Sequence, residues 1–157
     1  MAHIPGLKVV APSTPYDAKG LLKASIRDND PVMFLEHKRT YRLIKGEVPV
    51  EEYVLPLGVA DVKREGTDIT LLTYGLMVHY SLEAAEDLAE DGVSVEVVVL
   101  SCVLPLDKDC IFESVKKTNK AVIVYEDNLT LGYGSELSAI LASEAFEYLD
   151  GPIMRVA

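Results

Sequence analysis

The sequence predicts an α/β protein: a three-layer, doubly wound and mostly parallel sheet, preceded by a β-α-β unit of a second α/β domain. Short apolar strand-like runs alternate with helical runs of about ten residues or more, as in parallel sheets with crossover helices. Residues 93–100, VSVEVVVL, are almost continuously β-branched, which is typical of a strand covered on both faces. Residues 8–35 hold a strand, a helix and a strand within about thirty residues, the length of one β-α-β unit.

The first unit is marked by the residues at its ends. Residues 8–12, KVVAP, predict a short strand that stops at a proline. Ser13 or Thr14 can cap the helix that follows, because their hydroxyls can accept from its free N–H groups. The cluster DNDP at residues 28–31 ends that helix, and residues 32–35, VMFL, predict a buried strand.

A connector and a second alternating block come next. Residues 37–67 carry three glycines, two prolines and many charges, which predicts a long surface connector and a domain boundary. The second block contains four predicted strands and three predicted helices. The strands are 68–74, 93–100, 121–125 and 153–156, and the helices are 77–90, 107–117 and a last one from Tyr133 or Ser135 to about Tyr148.

Composition and charge limit the function classes. The 157 residues are 49% hydrophobic, enough for one core and a small annex. A net charge of -10 repels phosphate groups, which argues against nucleic acid and anionic membranes as partners. It favours a basic protein as partner. There is no run of 18 apolar residues and no signal-like start. Cys102 and Cys110 form neither a disulfide framework nor a metal spacing, so we expect reduced thiols in a cytoplasmic protein.

Few residues predict chemistry by themselves. Residues 132–134, GYG, resemble a phosphate-cradling turn but lack the full glycine fingerprint, and a tight turn feeding a helix explains them equally. Residues 126–128, EDN, follow a parallel strand at the end where α/β sheets place ligands, although they can also cap a loop. The acidic residues around the last helix form either a solvated face or a partner-binding face.

The amino-acid sequences of longer segments are more specific for a protein family. Residues 6–42, GLKVVAPSTPYDAKGLLKASIRDNDPVMFLEHKRTYR, resemble the β subunit of the thiamine-diphosphate-dependent 2-oxo acid dehydrogenases, and LIKGEVP, GVADVKREGTDITLLTYGLMVHYSLEAAEDLAEDG, LPLD and YEDNLTLGYGSE continue the resemblance. Residues 36–49, EHKRTYRLIKGEVP, are more similar to the branched-chain (2-oxoisovalerate) enzymes than to the pyruvate enzymes.

The resemblance implies a domain plan. Residues 1–44 match a C-terminal remnant of the pyrimidine-binding domain, residues 45–57 a linker, and residues 58–157 the transketolase C-terminal-like domain. The family's catalytic glutamate belongs to the part of the first domain that these residues do not match. We therefore expect no catalytic and no cofactor-binding residue in this chain, and no activity of the chain alone.

The resemblance also implies a monovalent cation site, usually for potassium, at the turn ASIRDND. Ser25 and Ile26 would offer carbonyl oxygens, Asp28 a carbonyl or carboxylate oxygen, and Asp30 a side-chain oxygen. Oxygen-only ligation suits a hard cation. The alternative is that these residues only end the helix.

The implied function is oxidative decarboxylation of a branched-chain 2-oxo acid, with acyl transfer to a lipoyl carrier. Thiamine diphosphate would be bound in an intact heterotetramer with an α subunit and another β subunit. This chain would support assembly and dock the basic binding domain of the lipoyl acyltransferase core, with Glu147 and Asp150 as candidate contacts. The alternatives are a pyruvate or acetoin dehydrogenase β subunit, or a non-catalytic binding or assembly module. We further expect residues 8–35 to expose an apolar face and open strand edges, and therefore to pair with another copy in an oligomer, to swap, or to pack on the C-terminal domain of the same chain.

Overall fold

The computed structural model describes all of residues 1–157, which divide into two compact units. Unit 1 comprises Met1–Ala60, Tyr74–Leu76 and Leu100–Asp107, and unit 2 comprises Asp61–Thr73, Met77–Val99 and Lys108–Ala157. In chain order the elements are β1 (Lys8–Val10), α1 (Pro15–Arg27), β2 (Val32–Phe34), α2 (Thr40–Leu43), β3 (Asp61–Arg64), β4 (Ile69–Thr73), α3 (Met77–Glu90), β5 (Val95–Val99), β6 (Cys102–Leu104), α4 (Lys108–Thr118), β7 (Ala121–Val124), α5 (Tyr133–Glu144) and β8 (Met154–Val156).

Unit 1 contains the predicted β-α-β unit and one further strand. Its sheet has the order β2-β1-β6, with β1 parallel to β2 and antiparallel to β6. Thr14 caps α1, because its Oγ1 accepts from the Asp17 N–H at 3.1 Å while the Asp17 carboxylate accepts from the Thr14 N–H at 3.1 Å. This reciprocal capping box fixes where the helix begins. Val10, Leu21 and Cys102 form the buried core of the unit.

The expectation that both edges of this β-α-β unit are open is wrong for β1. Val9 stands opposite Leu104, and the Ala11 N–H donates to the Ser101 carbonyl at 2.9 Å. The sequence prediction placed a strand at 93–100 and assigned no strand to the short apolar run that follows it. That run, Cys102–Leu104, is strand β6 and pairs with β1. The β2 edge has no partner strand.

The predicted linker is packed along α1 rather than extended into solvent. The Leu55 N–H donates to the Gly20 carbonyl at 3.2 Å, and a Cβ at Gly20 would stand 2.6 Å from Leu55 Cγ. Glycine at position 20 therefore lets the linker lie directly against the helix. Tyr53 stacks on Tyr16 with 4.5 Å between ring centroids, and the Lys19 ammonium donates to the Glu51 carbonyl at 3.0 Å.

Unit 2 contains most of the predicted second alternating block, without residues 100–107. Its five-stranded sheet has the order β3-β5-β4-β7-β8, and every pair is parallel except β3 with β5. Helix α3 has the predicted bounds, and its Val78 and Ala85 pack on strand residues that are fully buried, as the β-branched run indicated. The sequence prediction missed β3, because an edge strand that alternates between exposed and half-buried charged residues resembles a connector.

The last helix is shorter than predicted. Helix α5 ends at Glu144, and residues Phe146–Tyr148 form a separate turn of 3-10 helix. Ala145 breaks the helix with φ -128° and ψ 14° while staying fully buried. No helix has both the length and the apolar character that crossing a membrane would require.

Candidate functional site

The turn predicted to hold a cation follows α1 and lies beside β1. The Lys8 ammonium donates to both carboxylate oxygens of Asp28, at 2.8 and 2.7 Å, and lies 3.0 Å from Oδ2 of Asp30. The Asp30 N–H also donates to Asp28 Oδ1 at 2.9 Å. The structure therefore brings the two predicted aspartates together around an ammonium group that sequence reasoning did not include.

Lys8 governs the electrostatics of this turn. Its hydrogen bond lowers the pKa of Asp28, and the hydrogen bonds to Asp28 and Asp30 raise the pKa of Lys8. The Asp28 side chain is only 18% exposed, so water screens the ion pair weakly. Because Lys8 engages both carboxylates, a cation at this turn would rely mainly on main-chain carbonyl oxygens.

The other two predicted ligands occupy the last turn of α1. Ser25 Oγ donates to the Leu21 carbonyl at 2.7 Å, and the Ser25 carbonyl accepts from the Asp28 N–H at 3.4 Å. The Ile26 side chain is 75% exposed, so it contributes nothing to the core. The Ser25 carbonyl is thus engaged only by a long hydrogen bond, which leaves capacity for a second interaction.

The predicted docking residues lie in unit 2, after α5. Glu147 belongs to the 3-10 turn and Asp150 follows it, and both side chains are exposed. The backbone around them is fixed, because the Asp150 N–H donates to the Asn119 carbonyl at 2.8 Å and Asn119 Nδ2 donates to the Tyr148 carbonyl at 2.8 Å. The segment therefore presents two carboxylates on an ordered backbone.

A cleft of about 210 Å³ opens beyond the carboxyl ends of β1 and β2. Parallel α/β sheets commonly bind ligands at that end. Tyr41 donates from its hydroxyl to Glu36 Oε2 at 2.6 Å, which raises the pKa of Tyr41. The cleft is lined by Pro12, Ser13, Thr14, Pro15, Ala18, Glu36, His37, Thr40, Tyr41 and Ile44.

The residues of this chain do not fit thiamine diphosphate. The helix N-terminus beside the cleft already holds a carboxylate, since Asp17 is 4% exposed and accepts from the Ser13 hydroxyl at 2.9 Å. A diphosphate would be repelled there. This helix N-terminus therefore offers no place for the diphosphate group.

The glycine-rich turn before α5 serves packing. A Cβ at Gly134 would overlap the ring of Tyr125, standing 2.5 Å from its Cζ atom, and a Cβ at Gly132 would overlap the Asn128 carbonyl oxygen. Tyr125 is only 1% exposed and cannot move aside. Of the two interpretations of GYG, the tight turn that feeds a helix is the one that this geometry supports.

Comparison with known families identifies the larger part of the chain. Residues 58–157 match the family model described as transketolase, C-terminal domain. The chain belongs to the transketolase C-terminal domain family. Residues 1–44 match a second model, transketolase, pyrimidine binding domain. The transketolase-type α/β fold and the family resemblance predicted from the sequence are both confirmed.

Two relatives from Bacillus subtilis (strain 168) are similar over nearly the whole chain. The 2-oxoisovalerate dehydrogenase subunit beta is 60% identical over 156 residues, which cover 99% of this chain and 48% of that protein. The pyruvate dehydrogenase E1 component subunit beta is 55% identical over 157 residues, which cover 100% of this chain and 48% of that protein. This member of the transketolase C-terminal family thus spans about half the length of the curated relatives it matches.

A solved structure has the same arrangement of strands and helices. It is described as a split gene transketolase, inactive beta4 tetramer, and it superimposes with a TM-score of 0.82 at 26% sequence identity. The match covers 99% of this chain and 50% of that one. The match therefore includes strands and helices of both units.

Proposed function

We propose that this chain forms part of the β subunit of a thiamine-diphosphate-dependent 2-oxo acid dehydrogenase acting on branched-chain substrates such as 2-oxoisovalerate. The observation that carries the proposal is the 60% identity over 99% of the chain to a 2-oxoisovalerate dehydrogenase β subunit. In this reaction the complete enzyme releases carbon dioxide from the 2-oxo acid and passes the acyl group to a lipoyl carrier.

In this proposal the chain contributes assembly surfaces rather than reacting groups. Its partners are an α subunit and another β subunit. Thiamine diphosphate, when bound in that assembly, would supply the electron sink that decarboxylation of a 2-oxo acid needs. We place these 157 residues in the cytoplasm with that assembly and expect them to be inactive alone, because their cleft and helix N-terminus do not suit the cofactor.

Reconstitution in separate pieces tests this function. The chain is mixed with the N-terminal half of the Bacillus subtilis 2-oxoisovalerate dehydrogenase β subunit, ending where the similarity to this chain begins, and with the α subunit of that enzyme. Carbon dioxide release from labelled 2-oxoisovalerate is measured with thiamine diphosphate and magnesium. We expect release only from the full mixture, with each omission reducing it to background.

The controls separate the function from its alternatives. The C-terminal half of the Bacillus subtilis enzyme serves as the positive control for assembly from pieces. If that control is active while the chain adds nothing, the chain is a non-catalytic module. Activity with the corresponding pieces of the Bacillus subtilis pyruvate dehydrogenase, but not with those of the 2-oxoisovalerate enzyme, would assign it instead to a pyruvate dehydrogenase, the candidate favoured by the 55% identity to that β subunit. Activity only with the pieces of an acetoin dehydrogenase, measured as release of acetaldehyde because acetoin loses no carbon dioxide, would assign it to that enzyme.

Two finer sites belong to the same proposal. We place a potassium ion at the turn of Ser25, Ile26, Asp28 and Asp30, with Asp28 contributing its carbonyl because Lys8 holds its carboxylate. We also propose that Glu147 and Asp150 contact the basic binding domain of the lipoyl acyltransferase core. Support for this contact is the exposure of both carboxylates on a hydrogen-bonded segment in a chain of net charge -10.

A further inference from the structure

The loop between β7 and α5 carries a leucine in an unfavourable conformation. Leu131 has φ 62°, in the left-handed region that residues with a Cβ avoid, and its side chain is 95% exposed. Leu129, two residues earlier, is 51% exposed. Because the Leu131 side chain is almost fully exposed, it makes no packing contacts within this chain that could offset the cost of its backbone conformation.

The rest of the chain enforces this conformation. Asp127 accepts from the Asn128 N–H at 2.8 Å and from the Tyr133 N–H at 3.4 Å. Arg155 donates through Nη1 to the Leu129 carbonyl at 2.8 Å and to Ser135 Oγ at 2.6 Å. The loop is therefore bound at both ends, and its two leucines project from a fixed backbone. Strain of this kind persists where surrounding structure holds it, and it often marks a functional position.

The charge around the leucines indicates what they contact. Glu126 and Asp127 precede them, and Glu136 lies in the first turn of α5; all three are exposed. The nearby cation, Arg155, is engaged by the loop itself. A second copy of this acidic chain would bring carboxylates against carboxylates, which disfavours self-association through this loop.

We infer that residues 126–131 form a docking loop that inserts Leu129 and Leu131 into an apolar pocket, rimmed by lysine or arginine, on a different polypeptide. Apolar anchors in a pocket with complementary charges around them are the usual source of binding energy and specificity in an interface. A rigid anchor also loses little conformational freedom on binding. The inference concerns a contact that the proposed enzyme activity does not itself require.

Photo-cross-linking in the cells that make the protein tests this inference. Benzoylphenylalanine is placed at position 131 of the full chain and, in a matched control, at Phe146, which is 73% exposed in the same unit. We expect position 131 to join the chain to one other polypeptide, through an apolar peptide with adjacent lysine or arginine, and position 146 not to do so. Cross-links to a second copy, or no cross-link above the level at position 146, would overturn the inference.

Two substitutions distinguish an anchor from a structural leucine. Leu131→Gly and Leu131→Asn both tolerate a positive φ, so the chain should fold and its melting temperature should stay equal or rise. Each should reduce recovery of the cross-linked partner, by co-purification, at least about tenfold, the loss expected for an interface hot spot. A lower melting temperature for both variants would show that Leu131 serves the fold, and unchanged co-purification would show that it is not the anchor; either result overturns the inference.

Discussion

The ammonium of Lys117 on α4 pairs with the carboxylate of Glu96, the one charged side chain in the otherwise all-valine strand β5. Glu96 is 1% exposed, and its Oε2 also accepts from the Gly66 N–H at 3.2 Å. Lys117 reaches Glu65 as well, at 2.8 Å. The ion pair therefore joins the C-terminal end of α4 to the sheet through a carboxylate that is shielded from water.

Removing the cation of this pair should be costly. Lys117→Met leaves the Glu96 carboxylate without its counter-ion. Because the Lys117 side chain is 41% exposed and water can partly replace it, we expect the free energy of unfolding to fall by about 1–3 kcal/mol. Lys116→Met is the matched control, because Lys116 lies next to it but pairs with Glu113 at the surface, a contact worth about 1 kcal/mol or less. Urea denaturation measures both. Equal losses for the two variants would show that the buried pair contributes no more than a surface pair.

The same carboxylate predicts how stability depends on pH. Burial raises the pKa of Glu96, but the hydrogen bonds from Lys117 and Ser114 outweigh it and hold the pKa below the ordinary 4.5. Glu96 binds its proton less readily in the folded state, so its contribution is present above pH 4.5 and is lost as pH falls through the lower, folded value. Glu96→Gln should flatten the decline of melting temperature below pH 4.5. If the melting temperature of Glu96→Gln falls with pH as steeply as that of the wild type, other carboxylates cause the loss of stability in acid.

Packing against Tyr125 predicts the effect of a single methyl group. Gly134→Ala places a Cβ inside the ring of a buried tyrosine, and overpacking of this kind costs about 1–3 kcal/mol. Gly151→Ala is the control, since a Cβ there meets nothing within 4 Å. Thermal unfolding should separate the two variants clearly. If Gly134→Ala has the same melting temperature as the wild type, close packing against Tyr125 does not require glycine at that position.

Charge reversal tests the proposed docking residues. Glu147→Lys with Asp150→Lys should weaken binding to the basic binding domain of the lipoyl acyltransferase by at least about tenfold, mainly through faster dissociation, and reduce its salt dependence. Both side chains are exposed, so the fold should be unaffected. Glu83→Lys with Glu86→Lys, two exposed reversals on α3, form a control of equal charge. Equal weakening by both pairs of substitutions would show that binding depends on the net charge of the chain and not on Glu147 and Asp150.

The local patterns of the sequence predict most of the fold. The helix α3 and the strands of the unit 2 core follow from apolar periodicity and from β-branched runs, because those elements are buried on predictable faces. Strand β3 escaped prediction because an edge strand lacks that signal, and β6 because three residues are too few to carry it. The break at Ala145 depends on its fully buried position, which local sequence does not specify.

The candidate site could be predicted only in part. The wording of the turn after α1 indicated Asp28 and Asp30, but Lys8 lies 20 residues from Asp28, and only the pairing of β1 with β2 brings the two together. Glu96 and Lys117 are also brought together by tertiary structure, and a lone glutamate in a valine run was the one available signal. The strain at Leu131 has no sequence signal, because leucine ordinarily avoids that conformation.

The Lys8 contacts predict how the chain responds to potassium. Replacing choline by potassium at constant ionic strength should raise the melting temperature if the turn binds the cation, since a ligand that binds only the folded state stabilises it. Asp30→Ala should reduce that rise by removing a side-chain oxygen, while the main-chain carbonyl oxygens remain. Lys8→Met should melt lower in choline, because Asp28 and Asp30 lose their shared counter-ion, and should gain more from potassium than the wild type does. Identical melting curves in potassium and choline for all three proteins would show that Ser25, Ile26, Asp28 and Asp30 only end the helix.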